Sequence, residues 1–265
     1  MNFISSRKEL SKELMKCLII LHYLGLCHAN ISRFSALDEF IVQYRTIRNG
    51  ASSIVGSTSD DPANMLRARK LGMLQEPVPI STPFPCNTSQ SRSAERPNNV
   101  HHVRPGDIDV VGAIGDSLTA GTGVVATNVL QILIENRGLS WSIGGQGNWK
   151  EFFTLPNVLK EFNPALIGYA WGDALSTDKK SQFNVGENSA VSSDLPYMTR
   201  VLINRMKLDQ RVDMEKHWKL VTIMIGANDM CSMMCNYKEP REALRLHREY
   251  LTIIFSKYKN SIEFK

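Results

Sequence analysis

Long apolar runs are what this chain has least of. No stretch approaches the ~20 consecutive apolar residues that a membrane-spanning helix needs, so none of its 265 residues read as part of a bilayer-crossing segment. Charge of one sign is equally unconcentrated. The 31 Lys and Arg against 26 Asp and Glu give a net charge of +5, scattered along the chain rather than blocked. That excess is too dilute to argue for a nucleic-acid partner, and it leaves only a weak pull toward anionic lipid surfaces. Cysteine is scarce and odd in number, at five, which excludes a dense disulfide scaffold. Internal repeats are absent. What remains is ordinary globular composition, 43% hydrophobic and 22% charged, long enough for one large domain or two small ones around a sizeable core.

The segment "MKCLIILHYLGLCHAN" begins at Met15 with Lys16, continues as an apolar run from Cys17 to Cys27, and ends on Cys27-His28-Ala29. Positive charge, short apolar core and a small residue at a cut site form the pattern of a secretory signal. Residues 1–29 are therefore expected to be a signal peptide, with Met15 as an alternative start. A buried amphipathic helix is the competing reading, and His22 and Gly25 interrupt its periodicity. Removal of the signal would leave Cys86, Cys231 and Cys235. The C-x-x-x-C pair has no further Cys or His at zinc-finger spacing, which favours a local disulfide over a metal site. Asn87-Thr88-Ser89 is a glycosylation sequon. Together these features lead to the expectation of a secreted, extracellular glycoprotein.

Residues 30–106 read as an N-terminal extended or wrapping segment. "DEFIVQYRTIR" (38–48) has helical character, with Asp38 as cap and Gly50 as terminator, whereas 51–106 is rich in Ser, Pro, Asn and Arg and buries little. The compact part spans 107–265. There "DIDVVGAIG" and "HWKLVTIMIG" read as buried strands and "PALIGYAWG" as a third. "NVLQILIENRG", "TLPNVLKEFN", "SSDLPYMTRVLINRMKLD" and "EPREALRLHREYLTIIFSKY" read as helices, the third capped by Ser193. Strands alternating with helices indicate an α/β domain with a mostly parallel sheet, whose sites collect at the carboxyl ends of strands.

Two turns at such ends carry chemistry. Gly115-Asp116-Ser117-Leu118 follows the first strand, and its serine has a following glycine only at Gly121, so it is not the G-x-S-x-G elbow. By itself this turn reads equally as a nucleophile or as a cap for the next turn. Ile225-Gly226-Ala227-Asn228-Asp229 follows the second strand and offers an asparagine amide as an oxyanion donor. Gly172-Asp173-Ala174-Leu175 echoes the first turn with alanine in place of serine, and reads as a structural turn.

The combination, with "VRPGDIDVVGAIGDSLTAGTG", "RGLSWSIGGQGNW", "SQFNV", "DLPYMTRVLINRMK" and "WKLVTIMIGANDMC" in order, resembles the GDSL, or SGNH, hydrolase superfamily and its phospholipase B1-like branch. The resemblance implies a three-layer α/β/α sandwich and hydrolysis of carboxylic esters of phospholipids and lysophospholipids. It implies Ser117 as nucleophile, its own N–H and Asn228 as oxyanion donors, and no metal or organic cofactor. The branch has an oxyanion glycine in the loop after "NV". Here Ser189 stands in that place, with Gly186 as the alternative. The branch also carries its base in a D-x-x-H motif, and none occurs downstream of Asn228. His247 lies on a helix face beside Leu244 and Leu251, His217 reads as surface, and His101-His102 read as exposed loop. The triad Asp and His are thus expected to be absent from what reads as a partial hydrolase domain, C-terminally truncated, with little turnover. The alternatives are a non-catalytic lipid- or partner-binding pseudoenzyme, and an esterase acting on other acyl esters. Peripheral contact with membranes or lipid aggregates fits the substrate class.

Overall fold

A computed structural model describes residues 36–233, 237 and 239–261. The expected signal peptide and Cys235 lie outside the described residues. Strand β1 (Ile108–Gly115) is the centre of the domain. Its side chains alternate between two cores, as a strand covered on both faces must. Val110 and Ile114 pack with Met198, Leu202 and Met206, whereas Val111 and Ala113 pack with Ile143, Leu159 and Leu166. Strand β2 (Trp218–Met224) runs parallel to β1, with Gly115 opposite Met224 at the carboxyl end. Among the described residues β2 pairs with β1 alone, and all seven of its residues are half-buried.

The other edge of β1 is completed piecewise. Ile167 exchanges hydrogen bonds with Val111 and Asp109, and then residues 183–187 take over, with Val185 N–H on Ala113 O and Glu187 N–H on Gly115 O. The strand expected at "PALIGYAWG" is therefore reduced to isolated bridges at Ile167 and Ala170. Gly168 explains the break. Its φ of 99° turns the chain out of the ladder, and a Cβ there would strike Val111 O and the Phe183 ring.

The helices form the outer layers. α1 (Ala36–Val55) passes through Gly50 instead of ending there and contains Asp38 within the helix, and it stops before Gly56 at φ 69°. α2 (Pro62–Lys70) is capped by Asp61 and interrupts what was expected to be an extended segment. α3 is the four-residue turn Ser117–Ala120. α4 (Leu155–Phe162) covers one face of the sheet through Leu159. α5 (Leu195–Leu208) and α6 (Pro240–Ser261) cover the other through Leu202 and Ile254. This is the α/β/α layering. α5 begins after Asp194, whose carboxylate accepts Val191 N–H at 2.8 Å, so Ser193 is not its cap.

The expected helix over 128–138 is reduced to two tight turns, Leu130–Leu133 and Arg137–Leu139. Glu135, Asn136 and Arg137 are instead buried, and Glu135 bridges Thr122 in an antiparallel pair. Burying three consecutive polar residues requires a backbone that aims each at its own partner, and that requirement overrides the helical pattern.

The echo turn at Gly172-Asp173 has a structural role. Asp173 accepts hydrogen bonds from Thr58 N–H (2.6 Å), Thr58 Oγ1 (2.9 Å), Ser59 N–H (3.2 Å) and Asn136 Nδ2 (2.7 Å), pinning the N-terminal segment to the domain. Burial by itself would raise its pKa, but donation from Ser59, Asn136 and Thr58 outweighs burial and holds the carboxyl below the usual range. A depressed folded pKa means that this contribution is present at neutral pH and is lost as pH falls through the folded pKa, below the unfolded value of about 3.9. Asp173→Asn is expected to cost about 1–3 kcal/mol at pH 7. In urea unfolding the difference from the unaltered chain should shrink below about pH 4.

Candidate active site

The carboxyl ends of β1 and β2 bring the two motif turns side by side. After Gly115, Asp116 caps α3 by accepting Leu118 N–H at 2.9 Å, and Gly121 closes the turn at φ 71°. Ser117 is half-buried at the first helical position. Its N–H points out of a helix start, where no preceding turn offers an acceptor. Among the described residues neither that N–H nor the Ser117 hydroxyl has a hydrogen-bond partner.

The third element is the loop after "NV". Its upstream half is fixed from below by Arg137, which is fully buried with Glu135. The guanidinium donates to Glu135 Oε2 (2.7 Å), Asn184 Oδ1 (2.9 Å), Ala174 O (2.9 Å) and Gly186 O (2.8 Å). Glu187 is held by Ser176 and by Arg45 of α1 at 3.2 Å. Burial pushes the Glu187 carboxyl up, and Arg137, Ser176 and Arg45 act against it. The phenol of Tyr44 is raised far above its ordinary range, first by burial and then by Glu135, so it is a neutral donor to Leu133 O.

The two candidates for the loop's oxyanion donor differ in availability. Gly186 N–H is taken by Asn184 Oδ1 at 3.1 Å and its carbonyl by Arg137. Ser189 stands at φ 59°, the left-handed region, and its N–H has no acceptor among the described residues. A serine in that region carries a cost of about 1–2 kcal/mol, held in place by the surrounding contacts. The loop meets the β2 turn directly, since Asn228 Nδ2 donates to Ala190 O at 2.8 Å. One amide proton of Asn228 is thereby engaged and the other remains for a ligand. Asp116, at the start of the serine turn, feels the Asp229 charge of the neighbouring turn. Burial raises the Asp116 carboxyl, Leu118 N–H opposes this, and the Asp229 charge adds to the rise.

The histidines are distributed differently from expectation. His101 and His102 are exposed, as the loop reading requires. His217 is half-buried, with Nδ1 accepting Asp213 N–H at 3.2 Å. His247 does not occupy an ordinary apolar face. Leu244 is 54% exposed, whereas the His247 ring turns inward and its Nδ1 meets Ser192 Oγ at 2.5 Å. Ser192 in turn gives its N–H to the Asp229 carboxylate at 3.0 Å. Sequence reasoning assigned no role to Ser192, Asp229 or Arg137, because their partners lie 37 to 55 residues away for the first two and no local periodicity signals such contacts. Cys231 is an exposed free thiol, and the partner its spacing suggests, Cys235, lies outside the described residues. A cleft of about 250 Å³ lies at the opposite end of the sheet, lined by Arg96, Asp109 and Trp218. Its guanidinium groups are held by Asp109 and by the Glu215 and Lys216 carbonyls.

The layered fold and a serine-bearing turn at the carboxyl end of the central strand place the chain among α/β hydrolytic domains. A family model described as GDSL-like lipase/acylhydrolase matches residues 111–258, more than half of the chain, and the chain belongs to that family. It is similar to the membrane-associated phospholipase B1 of Mus musculus and to that of Homo sapiens, each 44% identical over 142 residues. The matched part is 53% of this chain, and it spans about 10% of the length of each relative. No solved structure matches.

Two stability measurements test how the loop is held. Arg137→Met removes one partner of a fully buried pair and is expected to cost about 3–5 kcal/mol in urea unfolding. Ser189→Gly relieves the left-handed serine and is expected to stabilise by about 1 kcal/mol in the same assay.

Proposed function

We propose that this chain is the core of a serine carboxylic-ester hydrolase that acts on phospholipid or lysophospholipid acyl esters. The single observation that supports it best is the Asn228 Nδ2 hydrogen bond to Ala190 O. It joins the turn after β2 to the residue following Ser189, beside the end of β1 where Ser117 stands. In this reading Ser117 Oγ attacks the acyl carbonyl carbon and forms a tetrahedral intermediate. The carbonyl oxygen, now negative, is met by three donors: Ser117 N–H, Ser189 N–H and the free proton of the Asn228 amide. Collapse expels the alcohol, and water then releases the fatty acid from the acyl-serine. The engaged N–H of Gly186 favours Ser189 over it as the loop donor. No metal or organic cofactor takes part.

The proton of Ser117 needs an acceptor. Among the described residues no histidine is hydrogen-bonded to Ser117, and His247 is instead bonded to Ser192 through Nδ1. The expectation for this 265-residue polypeptide is low turnover, because a serine without a histidine partner forgoes most of a triad's rate. The bond of His247 to Ser192 rather than to Ser117 favours a second reading, a lipid-binding module without turnover. Purified chain should hydrolyse a short-chain chromogenic ester and lysophosphatidylcholine barely above a Ser117→Ala control. Robust turnover that Ser117→Ala abolishes would sink the low-activity reading while upholding Ser117. Binding of a lysophospholipid by the Ser117→Ala chain, measured calorimetrically, separates the lipid-binding module from a misassigned site.

We also place the chain on the secretory route. Support comes from the Met15–Ala29 pattern and from Asn87, which is exposed in a turn where its Oδ1 accepts Ser89 N–H at 2.9 Å. Expression through a eukaryotic secretory pathway should yield a glycan at Asn87. A mass shift on enzymatic deglycosylation, lost in Asn87→Gln, is the expected result.

A further inference from the structure

We propose that His247 is a positioning residue for the oxyanion side of the site, acting through Ser192 on the loop that carries Ser189. The proposal deepens the reading of Ser117, Ser189 and Asn228 given above and rests on it. Ser189 holds a strained left-handed conformation, and such a conformation persists only where its surroundings over-determine it. Upstream the restraint is Arg137 on Gly186 O and the Glu187 N–H bond to Gly115 O. Downstream it consists of three successive contacts. Asn228 Nδ2 holds Ala190 O, Asp229 holds Ser192 N–H, and His247 Nδ1 holds Ser192 Oγ.

His247 is the member of this set that comes from a separate element, α6, and it touches both halves of the donor site. Its ring lies against Gly226, where a Cβ would stand 3.0 Å from Cε1, and Gly226 has a φ of 119° that suits glycine alone. The imidazole thus presses on the turn that presents Asn228 while bonding the loop that presents Ser189. Ser192 is 1% exposed. Its hydroxyl cannot exchange His247 for water, so loss of the imidazole leaves a buried polar group unpaired. The burial of Ser192 also excludes it as a second nucleophile. The Ser192 bond occupies Nδ1, and among the described residues His247 makes no hydrogen bond to Ser117, so its role here is to position the loop.

The test combines amide hydrogen exchange with the rate at which an alkyl fluorophosphonate labels Ser117, whose phosphoryl oxygen occupies the oxyanion position. In His247→Ala and in Ser192→Ala, exchange in 189–192 should rise about tenfold, with β1 and α5 still protected. Labelling should slow by about tenfold. The double variant should add nothing further, since both remove the same bond. His247→Asn places an oxygen near the position of Nδ1 and should restore both readouts, whereas His247→Gln should not. Unchanged exchange in His247→Ala, a uniform loss of protection throughout the domain, or failure of His247→Asn to restore the loop would each overturn the proposal. Labelling that persists in Ser117→Ala would overturn the site reading instead, and the exchange data would then judge the clamp separately.

Discussion

A guanidinium with no access to water is the constraint on which the rest of this structure depends. Arg137 is wholly buried beside Glu135, and such a charge is tolerable only where every donor has an acceptor. Its acceptors are the Glu135 carboxylate, the Ala174 carbonyl, both oxygens of Asn184 and the Gly186 carbonyl. Those residues come from three separate stretches of chain. Satisfying one side chain therefore fixes where the 135–137 segment, the echo turn and the loop after the edge ladder lie relative to each other. The second charge in the region, Glu187, requires Arg45 from α1. The N-terminal helix is thus tied electrostatically to the interior of the domain. A non-directional apolar core would tolerate these segments in several arrangements, whereas the charge network allows one.

Much of the sheet and its helices is legible in the sequence, because each depends on a local pattern. β1 and β2 are short β-branched runs bounded by turn residues, and α4, α5 and α6 each begin at a proline in the first turn. The two motif turns are legible for the same reason, since each follows a readable strand. The failures occur where long-range polar demands override local preference. Residues 128–138 have apolar spacing suited to a helix, yet the demands of buried Glu135, Asn136 and Arg137 break them into two short turns. The run 164–172 has strand composition, yet Gly168 diverts it after one bridge. α1 outlasts Gly50 because nothing crowds that position, and a Cβ there would meet no atom within 4 Å.

The parts of the candidate site that escaped reading share one property, which is that they connect motifs rather than form them. Ser117 and Asn228 are visible as residues at strand ends. What brings the Ser189 loop between them is Asn184, Arg137, Asp229, Ser192 and His247, and none of these contacts has a spacing that a pattern could reveal. The echo turn at Asp173 is a related lesson. The same Gly-Asp start that caps a serine-bearing turn in one place gathers the hydroxyl and amide donors of residues 58 and 59 in another. A short motif specifies a backbone shape, and its chemistry depends on what the fold brings to it.

The outer side of β2 has a consequence for how the sheet can grow. With β1 as its one partner among the described residues, this strand of Leu, Val, Ile and Met presents a row of backbone donors and acceptors on its other edge. Lysine at 219 does not protect that edge, because its ammonium is turned back onto the carbonyls of Asp213, Met214 and His217. An open, apolar parallel edge without a protruding charge is a template for further strands. Any segment that comes to lie beside β2 therefore finds a parallel template of backbone donors and acceptors ready to be extended.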